Sequence, residues 1–260
     1  MERSVVAPSR LVRDVALTGL AGVVAGLIVG GIGGRVVMRL AAMAAGPEAR
    51  GILTEAGNTV GEITLEGTFG LIFGGVFSGA AGAVVVVIAD PWLAWMRRLR
   101  CIGYGMVVLA VAGTLILDSS NRDFFVLSPA ELNVAMFVGL FFGYGIVLQA
   151  ARAVLDRRLP TAASGPQPGY LGVVALGVPF LFLVLATFTV PGLTEGRPPL
   201  YGVGALLVLM GLATLGYWIS IIAHAPRWLE LAAPLVGFGS LAILLVVGLP
   251  RLMAEIGLIL

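Results

Sequence analysis

The stretch VALTGLAGVVAGLIVGGIGG, residues 15–34, decides the fold class of this chain. It is a run of apolar and small residues without a charge, and about 20 such residues form a helix that crosses the hydrocarbon core of a bilayer. Because the backbone must satisfy its own hydrogen bonds there, the run predicts a transmembrane helix. It is too long for the apolar region of a signal peptide, so we expect it to be retained.

Further apolar runs of similar length follow along the chain, which makes seven in total. We therefore predict an all-α fold, a polytopic transmembrane helical bundle of about seven spans. The predicted spans are 15–34, 69–89, 101–117, 132–154, 170–190, 201–223 and 231–249.

The composition supports a membrane protein and excludes several kinds of site. Of the 260 residues, 59% are hydrophobic and 12% are charged, whereas a soluble domain carries about 25% charged residues. The chain has no Lys, and His224 and Cys101 are the single residues of their types. These counts exclude a P-loop, a Schiff-base lysine, a bis-His haem, a multi-His zinc centre and an intrachain disulfide. We expect no cofactor, no metal site and no nucleic-acid partner.

The arginines predict the orientation of the bundle. They collect before the first span, after the second, after the fourth and after the sixth, whereas acidic residues predominate in the alternate loops. Since short loops rich in positive charge stay in the cytoplasm, the N-terminus is predicted to be cytoplasmic. Basicity that comes only from Arg, with abundant Ala, Gly and Val, is typical of GC-rich bacterial genomes. It favours the plasma membrane of a bacterium.

One linker-like stretch divides the chain into two predicted units. Residues 159–169 are rich in Pro, Gly and Ser and carry no charge, as is typical of a linker. We expect a four-helix unit over 1–158, which includes an external loop at 47–67, and a three-helix unit over 170–260. The first unit holds most of the charged residues, so functional chemistry is expected there.

Glycine repeats at every fourth residue along one face of the first span. Such a face lets another backbone approach closely, and close packing is a main driver of helix association in lipid. The second span offers a matching surface through Gly70 and Gly74, Gly75 and Gly79, and Ser78 and Gly82. We expect the two spans to form a hairpin; a homo-oligomeric interface is the alternative. The predicted packing residues are Gly22, Gly26, Gly30, Gly34, Gly70 and Gly74.

Four charged residues are predicted to meet at the outer end of this hairpin. Arg35 and Arg39 follow the glycine face one turn apart, and Glu62 and Glu66 precede the second span with the same spacing. A charge near mid-membrane costs several kcal/mol unless it is paired, so the arginines need partners. The cluster predicts a structural set of ion pairs, an external anion site, or two arginines that reach lipid phosphates.

The segment from Trp92 to Arg100 is predicted to anchor the bundle at the membrane interface. Tryptophan rings favour the headgroup region, and cations favour anionic lipid. A basic surface that binds a protein partner is the alternative. The predicted anchor residues are Trp92, Trp95, Arg97, Arg98 and Arg100.

Two classes of function remain after these exclusions. The outer charged cluster and the glycine-packed helices favour small-solute or ion transport, or a channel. The scarcity of charge at mid-membrane favours a non-catalytic scaffold or partner subunit instead, because ion-coupled carriers usually hold a charged group there. We do not expect an enzyme, since no nucleophile and base or metal-ligand set can be assembled.

Overall fold

The computed structural model describes most of the chain and confirms an all-α fold. The described residues are 8–54, 57, 59–60, 62, 64–127, 129–160, 167–190, 201–223 and 225–260. No strand is present among them; Leu53 and Thr59 form an isolated bridge. Parts of the predicted loop 47–67 and of the predicted linker 159–169 lie outside the described residues, as does His224.

Seven long helices make up the described part of the bundle. We label them in chain order and leave the short turns at Pro47–Ala49 and Asp123–Val126 unlabelled. They are α1 (Pro8–Ala44), α2 (Leu65–Leu93), α3 (Arg100–Ile116), α4 (Ala130–Arg158), α5 (Pro168–Thr189), α6 (Tyr201–Ile222) and α7 (Arg227–Ile259).

Helices α2 and α3 are two arms of one kinked stretch. A kinked 3-10 segment of 6 residues at Ala94–Leu99 joins them, and Arg97 within it has a φ of 50°. The Tyr104 hydroxyl donates to Asp90, 14 residues earlier, although a straight helix would separate the two by about 21 Å. The chain therefore reverses at Arg97, and α3 runs back along α2.

The outward faces of the helices identify the environment of the bundle. Phe73, Leu176 and Leu235 are 72%, 73% and 74% exposed, and extensive exposed apolar surface is unfavourable in water. Counted with α2 and α3 as one stretch, six described helical stretches are long and apolar enough to cross a bilayer. The chain is therefore a multi-pass membrane protein. Seven crossings and a cytoplasmic N-terminus remain predictions.

One core joins the two predicted units. Its largest fully buried side chains include Trp92, Tyr104, Leu148, Leu207 and Leu244, which come from α2, α3, α4, α6 and α7. The helices that follow the linker therefore pack directly against the first four.

Trp92 is the largest of these fully buried side chains. Its burial contrasts with its predicted place at the membrane interface. The indole is 1% exposed and fills a notch at Gly237 of α7, where a Cβ would overlap the ring. Its Nε1 donates to Thr214 Oγ1 at 2.9 Å, and that hydroxyl donates to the Ile88 carbonyl at 2.7 Å. An indole with a buried hydrogen-bond acceptor does not need the headgroup region.

The remaining residues of the predicted anchor lie in or beside the turn between α2 and α3. Trp95 is 68% exposed, and Arg97 and Arg98 are exposed as well. Arg100 forms an ion pair with Asp90. Trp95, Arg97 and Arg98 are therefore the residues whose exposure agrees with an anchoring role.

Candidate functional site

The first two helices touch through glycine. A Cβ placed on Gly26 would lie 2.7 Å from Gly79 Cα, and one on Gly30 would lie 2.8 Å from Gly75 Cα. A Cβ on Gly22 would lie 2.7 Å from the Gly79 carbonyl oxygen. No side chain fits at these positions, so the two backbones are in contact. Because α2 of the same chain occupies this face of α1, the face is not available to a second copy.

The other predicted packing glycines lie elsewhere in the structure. A Cβ on Gly34, Gly70 or Gly74 would have nothing within 4 Å. The close contact between α1 and α2 ends near Gly30 and Gly75, and beyond that point these three glycines border empty space. The structure differs here from the prediction, because a regular spacing in each helix does not keep the two helices in contact over their whole length.

The empty space belongs to a cavity of about 490 Å³ bordered by α1 to α5, which we call the central cavity. None of its lining residues carries a charge. Small residues of α1 and α2 form one side, and branched and aromatic side chains form the rest. Lining residues include Gly34, Gly70, Gly74, Val111, Leu140, Phe141 and Val184.

The few polar groups on the wall of the central cavity are already bonded to protein. Ser78 Oγ donates to the Gly74 carbonyl at 2.7 Å, and Thr187 Oγ1 donates to the Leu183 carbonyl at 2.9 Å. The Tyr144 hydroxyl donates to the Gly79 carbonyl of α2, also at 2.7 Å. Because these hydroxyl protons are used within the protein, the wall offers mainly apolar contact to a ligand.

An irregular segment of α1 forms part of this wall. Residues Gly26–Gly33 adopt a π-helix of 8 residues between two α-helical parts. Gly26, Val29 and Gly30 of this segment line the central cavity. Departures of this kind from the α-helix are frequent at functional sites, so the segment is consistent with a binding role for the cavity.

Within the predicted outer charged cluster, Arg35 has a different partner from the predicted glutamates. Arg35 Nη2 donates to Thr68 Oγ1 at 3.1 Å, and Arg35 forms no ion pair with Glu62 or Glu66 among the described residues. Both glutamates are exposed, as is Arg39 one turn further along α1. Exposed ion pairs contribute little free energy, so a hydroxyl on the facing helix can replace a carboxylate as the partner of Arg35.

A better connected polar network lies at the opposite end of the bundle, which we call the Arg-rich end. There Asp90 of α2 accepts hydrogen bonds from the Tyr104 hydroxyl of α3, from Arg100 Nη1 at 3.3 Å and from Arg152 Nη1 at 3.3 Å. The carboxylate therefore joins α2, α3 and α4. It offsets the charge of two guanidiniums that are partly removed from solvent.

Arg13 forms a second polar connection at the Arg-rich end. Its Nη1 lies 2.5 Å from Asp156 Oδ1, and its other nitrogens donate to the carbonyls of Asp156, Leu159 and Pro160. These carbonyls belong to the end of α4, where a helix leaves acceptors unsatisfied and favours a cation. The Tyr170 hydroxyl also donates to the Pro160 carbonyl, so α1, α4 and α5 are held together there.

The acidic members of these networks are not among the predicted site residues. The arginines predict the orientation, but their distribution alone does not show which acids they meet. A signal was present, because Asp14, Asp90 and Asp156 are acidic residues on the side of the first four spans where arginines collect. Such acids are the natural partners of the arginines around them.

Asp90→Asn tests the first of these networks. The amide keeps the size of the side chain but leaves Arg100 and Arg152 without their shared counter-charge. We expect the free energy of unfolding to fall by about 1.5–3 kcal/mol, the usual value for hydrogen bonds to charged groups. Thermal unfolding in detergent, with Glu66→Gln as the matched control, measures the effect. Equal melting temperatures for the two variants would contradict a structural role for Asp90.

Two further observations complete the description of the site. Among the described residues, no group of three or more His, Cys, Asp or Glu side chains could hold a metal ion. Comparisons with protein families, with characterised proteins and with solved structures find no match to this chain.

Proposed function

We propose that this protein binds an apolar small molecule, or the hydrocarbon part of an amphipathic one, in the central cavity and moves it through the membrane. The observation that carries the proposal is a cavity of about 490 Å³ whose polar groups are satisfied within the protein. Pockets for small ligands occupy roughly 300–1,000 Å³ and are mostly apolar. The protein acts as a non-catalytic carrier in the plasma membrane of a bacterium.

The apolar wall of the central cavity argues against the transport of ions. An ion that leaves water needs charges or free dipoles to replace its hydration. The free-energy cost of burying an unpaired charge is far larger than the stabilisation that one hydrogen bond provides. The central cavity has no charged residue on its wall. Within the transport hypothesis, the apolar wall therefore favours an uncharged solute.

The competing proposal is a membrane scaffold in which ordinary lipid tails fill this space without selectivity. The two proposals differ in what happens when the cavity is filled by a side chain. A carrier loses its ligand, whereas a scaffold keeps its fold and every interaction that it makes elsewhere.

Gly74→Leu adds a side chain at the wall of the central cavity, where a Cβ has nothing within 4 Å. Gly139→Leu is the matched control: its Cβ is equally unobstructed, but Gly139 is exposed on α4 and is not among the cavity-lining residues. We expect Gly74→Leu to weaken ligand binding by roughly tenfold, as expected when a preformed pocket loses most of its apolar contact. The control should bind like the wild type.

A photoactivatable fatty acid in liposomes that contain the full-length protein provides the measurement. Labelled residues in the wild type should cluster around Leu140, Phe141 and Val184, and this labelling should disappear in Gly74→Leu. Labelling spread evenly over the outward faces would contradict a binding cavity. Cavity labelling without protein-dependent movement of the probe between leaflets would support the scaffold.

A further inference from the structure

A second cavity, of about 270 Å³, lies at the Arg-rich end of the bundle and differs from the central cavity in its chemistry. We call it the polar cavity. It is bordered by the second turn of α1, the turn between α2 and α3, the start of α3 and the last turns of α4. Its charged and amide-bearing lining residues are Asp14, Arg97, Arg100, Gln149, Arg152 and Asp156.

Two hydrogen-bond donors in the polar cavity lack an acceptor among the described residues. Arg100 uses its Nη1 on Asp90 and its Nη2 on the Ala94 carbonyl, but its buried Nε has no partner. The guanidinium of Arg97 has no ion pair or hydrogen bond to another described residue. Its backbone is also held at a φ of 50°, a strained conformation that clusters at ligand sites in non-glycine residues.

Two acceptors in the same cavity lack a donor within the described part of the chain. The buried Oε1 of Gln149 has no hydrogen-bond partner. The carboxylate of Asp14 has no ion pair or hydrogen bond within the described part of the chain, whereas Asp156 is paired with Arg13. A buried acceptor without a partner costs free energy, so a ligand that donates to it is stabilised there.

The unpaired groups thus define two halves of one site. Guanidinium donors match the oxygens of phosphate, and an amide oxygen beside a carboxylate matches a primary ammonium. A simple anion would satisfy the first half and be repelled by Asp14. The donors lie in the turn between α2 and α3 and at the start of α3, whereas the acceptors lie on α1 and α4, so the site fits a ligand whose two charges are on separate groups.

We propose that the polar cavity binds a zwitterionic headgroup of the phosphoethanolamine type, with its phosphate at Arg97 and Arg100 and its ammonium at Asp14 and Gln149. The cavity lies where the helices of the Arg-rich end finish, which is the level of lipid headgroups in a bilayer. This site is separate from the central cavity and does not depend on the function proposed for that cavity.

Competition between lipids tests the proposal on the full-length protein in nanodiscs, with native mass spectrometry to count retained lipids. Phosphatidylglycerol keeps the phosphate but lacks the ammonium, and phosphatidylcholine replaces its N–H donors with methyl groups. We expect the wild type to prefer phosphatidylethanolamine over both by about tenfold, the value expected when charge-assisted hydrogen bonds are lost. Equal retention of the three lipids would overturn the proposal.

Single substitutions separate the two halves of the site. Asp14→Asn should remove the preference for phosphatidylethanolamine and leave the binding of phosphatidylglycerol unchanged or stronger. Arg97→Gln should weaken the binding of all three lipids by about tenfold. Arg98→Gln is the matched control, since Arg98 is exposed in the same turn and does not line the cavity. An equal effect of Arg97→Gln and Arg98→Gln would show only general attraction to the membrane and would overturn the site.

Soluble competitors identify the source of the headgroup. Free phosphoethanolamine that displaces the lipid at comparable affinity would identify a soluble ligand with the proposed chemistry. Displacement only by the intact lipid would identify the bilayer as the source. Inorganic phosphate or free glycine that competes equally well would contradict the requirement for two separated charges.

Discussion

Trp92→Ala is expected to lower the free energy of unfolding by about 3–5 kcal/mol, the range found when a buried aromatic side chain is removed. The indole fills the notch at Gly237, and its ring lies 5.6 Å from Phe238 and 5.8 Å from Tyr217 between centroids. Its loss leaves a void among three helices and removes the donor to Thr214. Neither the void nor the hydrogen bond can be replaced by lipid, because the site is enclosed.

Trp95→Ala is the matched control, because the sequence places both tryptophans in the same predicted anchor. Trp95 is 68% exposed, so its removal should change the free energy of unfolding by less than about 0.5 kcal/mol. Thermal unfolding of both variants in the same detergent compares them directly. A larger loss of stability for Trp95→Ala would mean that membrane anchoring outweighs packing at this end of the bundle.

Gly26→Leu is expected to destabilise the protein by about 4 kcal/mol, above the 1–3 kcal/mol that is usual for an overpacked core. A side chain at this position would have to displace the backbone of α2 at both Gly75 and Gly79. Helices in lipid associate through such close contact, so separation of α1 from α2 also removes the packing that holds the hairpin.

Gly34→Leu provides the comparison within the same glycine face. Its Cβ has open space in the central cavity, so we expect a melting temperature close to that of the wild type. Thermal unfolding and gel filtration of the two variants measure stability and association. Equal stability of Gly26→Leu and wild type would show that the contact between α1 and α2 is not required for the fold.

The glycine spacing shows how far the sequence predicts the packing. A repeat of four marks the face of α1 that another backbone approaches, and Gly22, Gly26 and Gly30 lie in that contact. The repeat continues to Gly34 although the contact does not, because where two helices separate depends on the helices around them. The central cavity borders both this contact and the region beyond it, and three further helices enclose it, so no local pattern in α1 or α2 predicts its volume.

The position of Trp92 depends on residues that are distant in sequence. A tryptophan that follows an apolar run and precedes arginines has the usual surroundings of an interfacial ring. The acceptor and the notch that bury it belong to α6 and α7, so its burial could not be predicted from local composition. The partners of Asp90 could not be predicted from local composition either, because two of them lie on α3 and the third lies on α4.

The outer charged residues show that a sequence pattern does not predict which side chains become partners. Spacings of four predict that Arg35 and Arg39 share a face, and opposite charges predict attraction to Glu62 and Glu66. Helix register determines which side chain meets which, and it places Arg35 opposite Thr68. Sequence patterns therefore predicted the helices and one face of contact, whereas the polar partners depended on the relative placement of the helices.

The burial of Trp92 also sets an order of events during biosynthesis. Thr214 follows Trp92 by 122 residues, which a ribosome adds in roughly 6–24 seconds at about 5–20 residues per second. During that interval the indole lacks its acceptor, and Gly237 has not yet been made. A nascent chain that stops before α6 leaves this surface uncovered, and membrane proteases that remove incomplete proteins can recognise it.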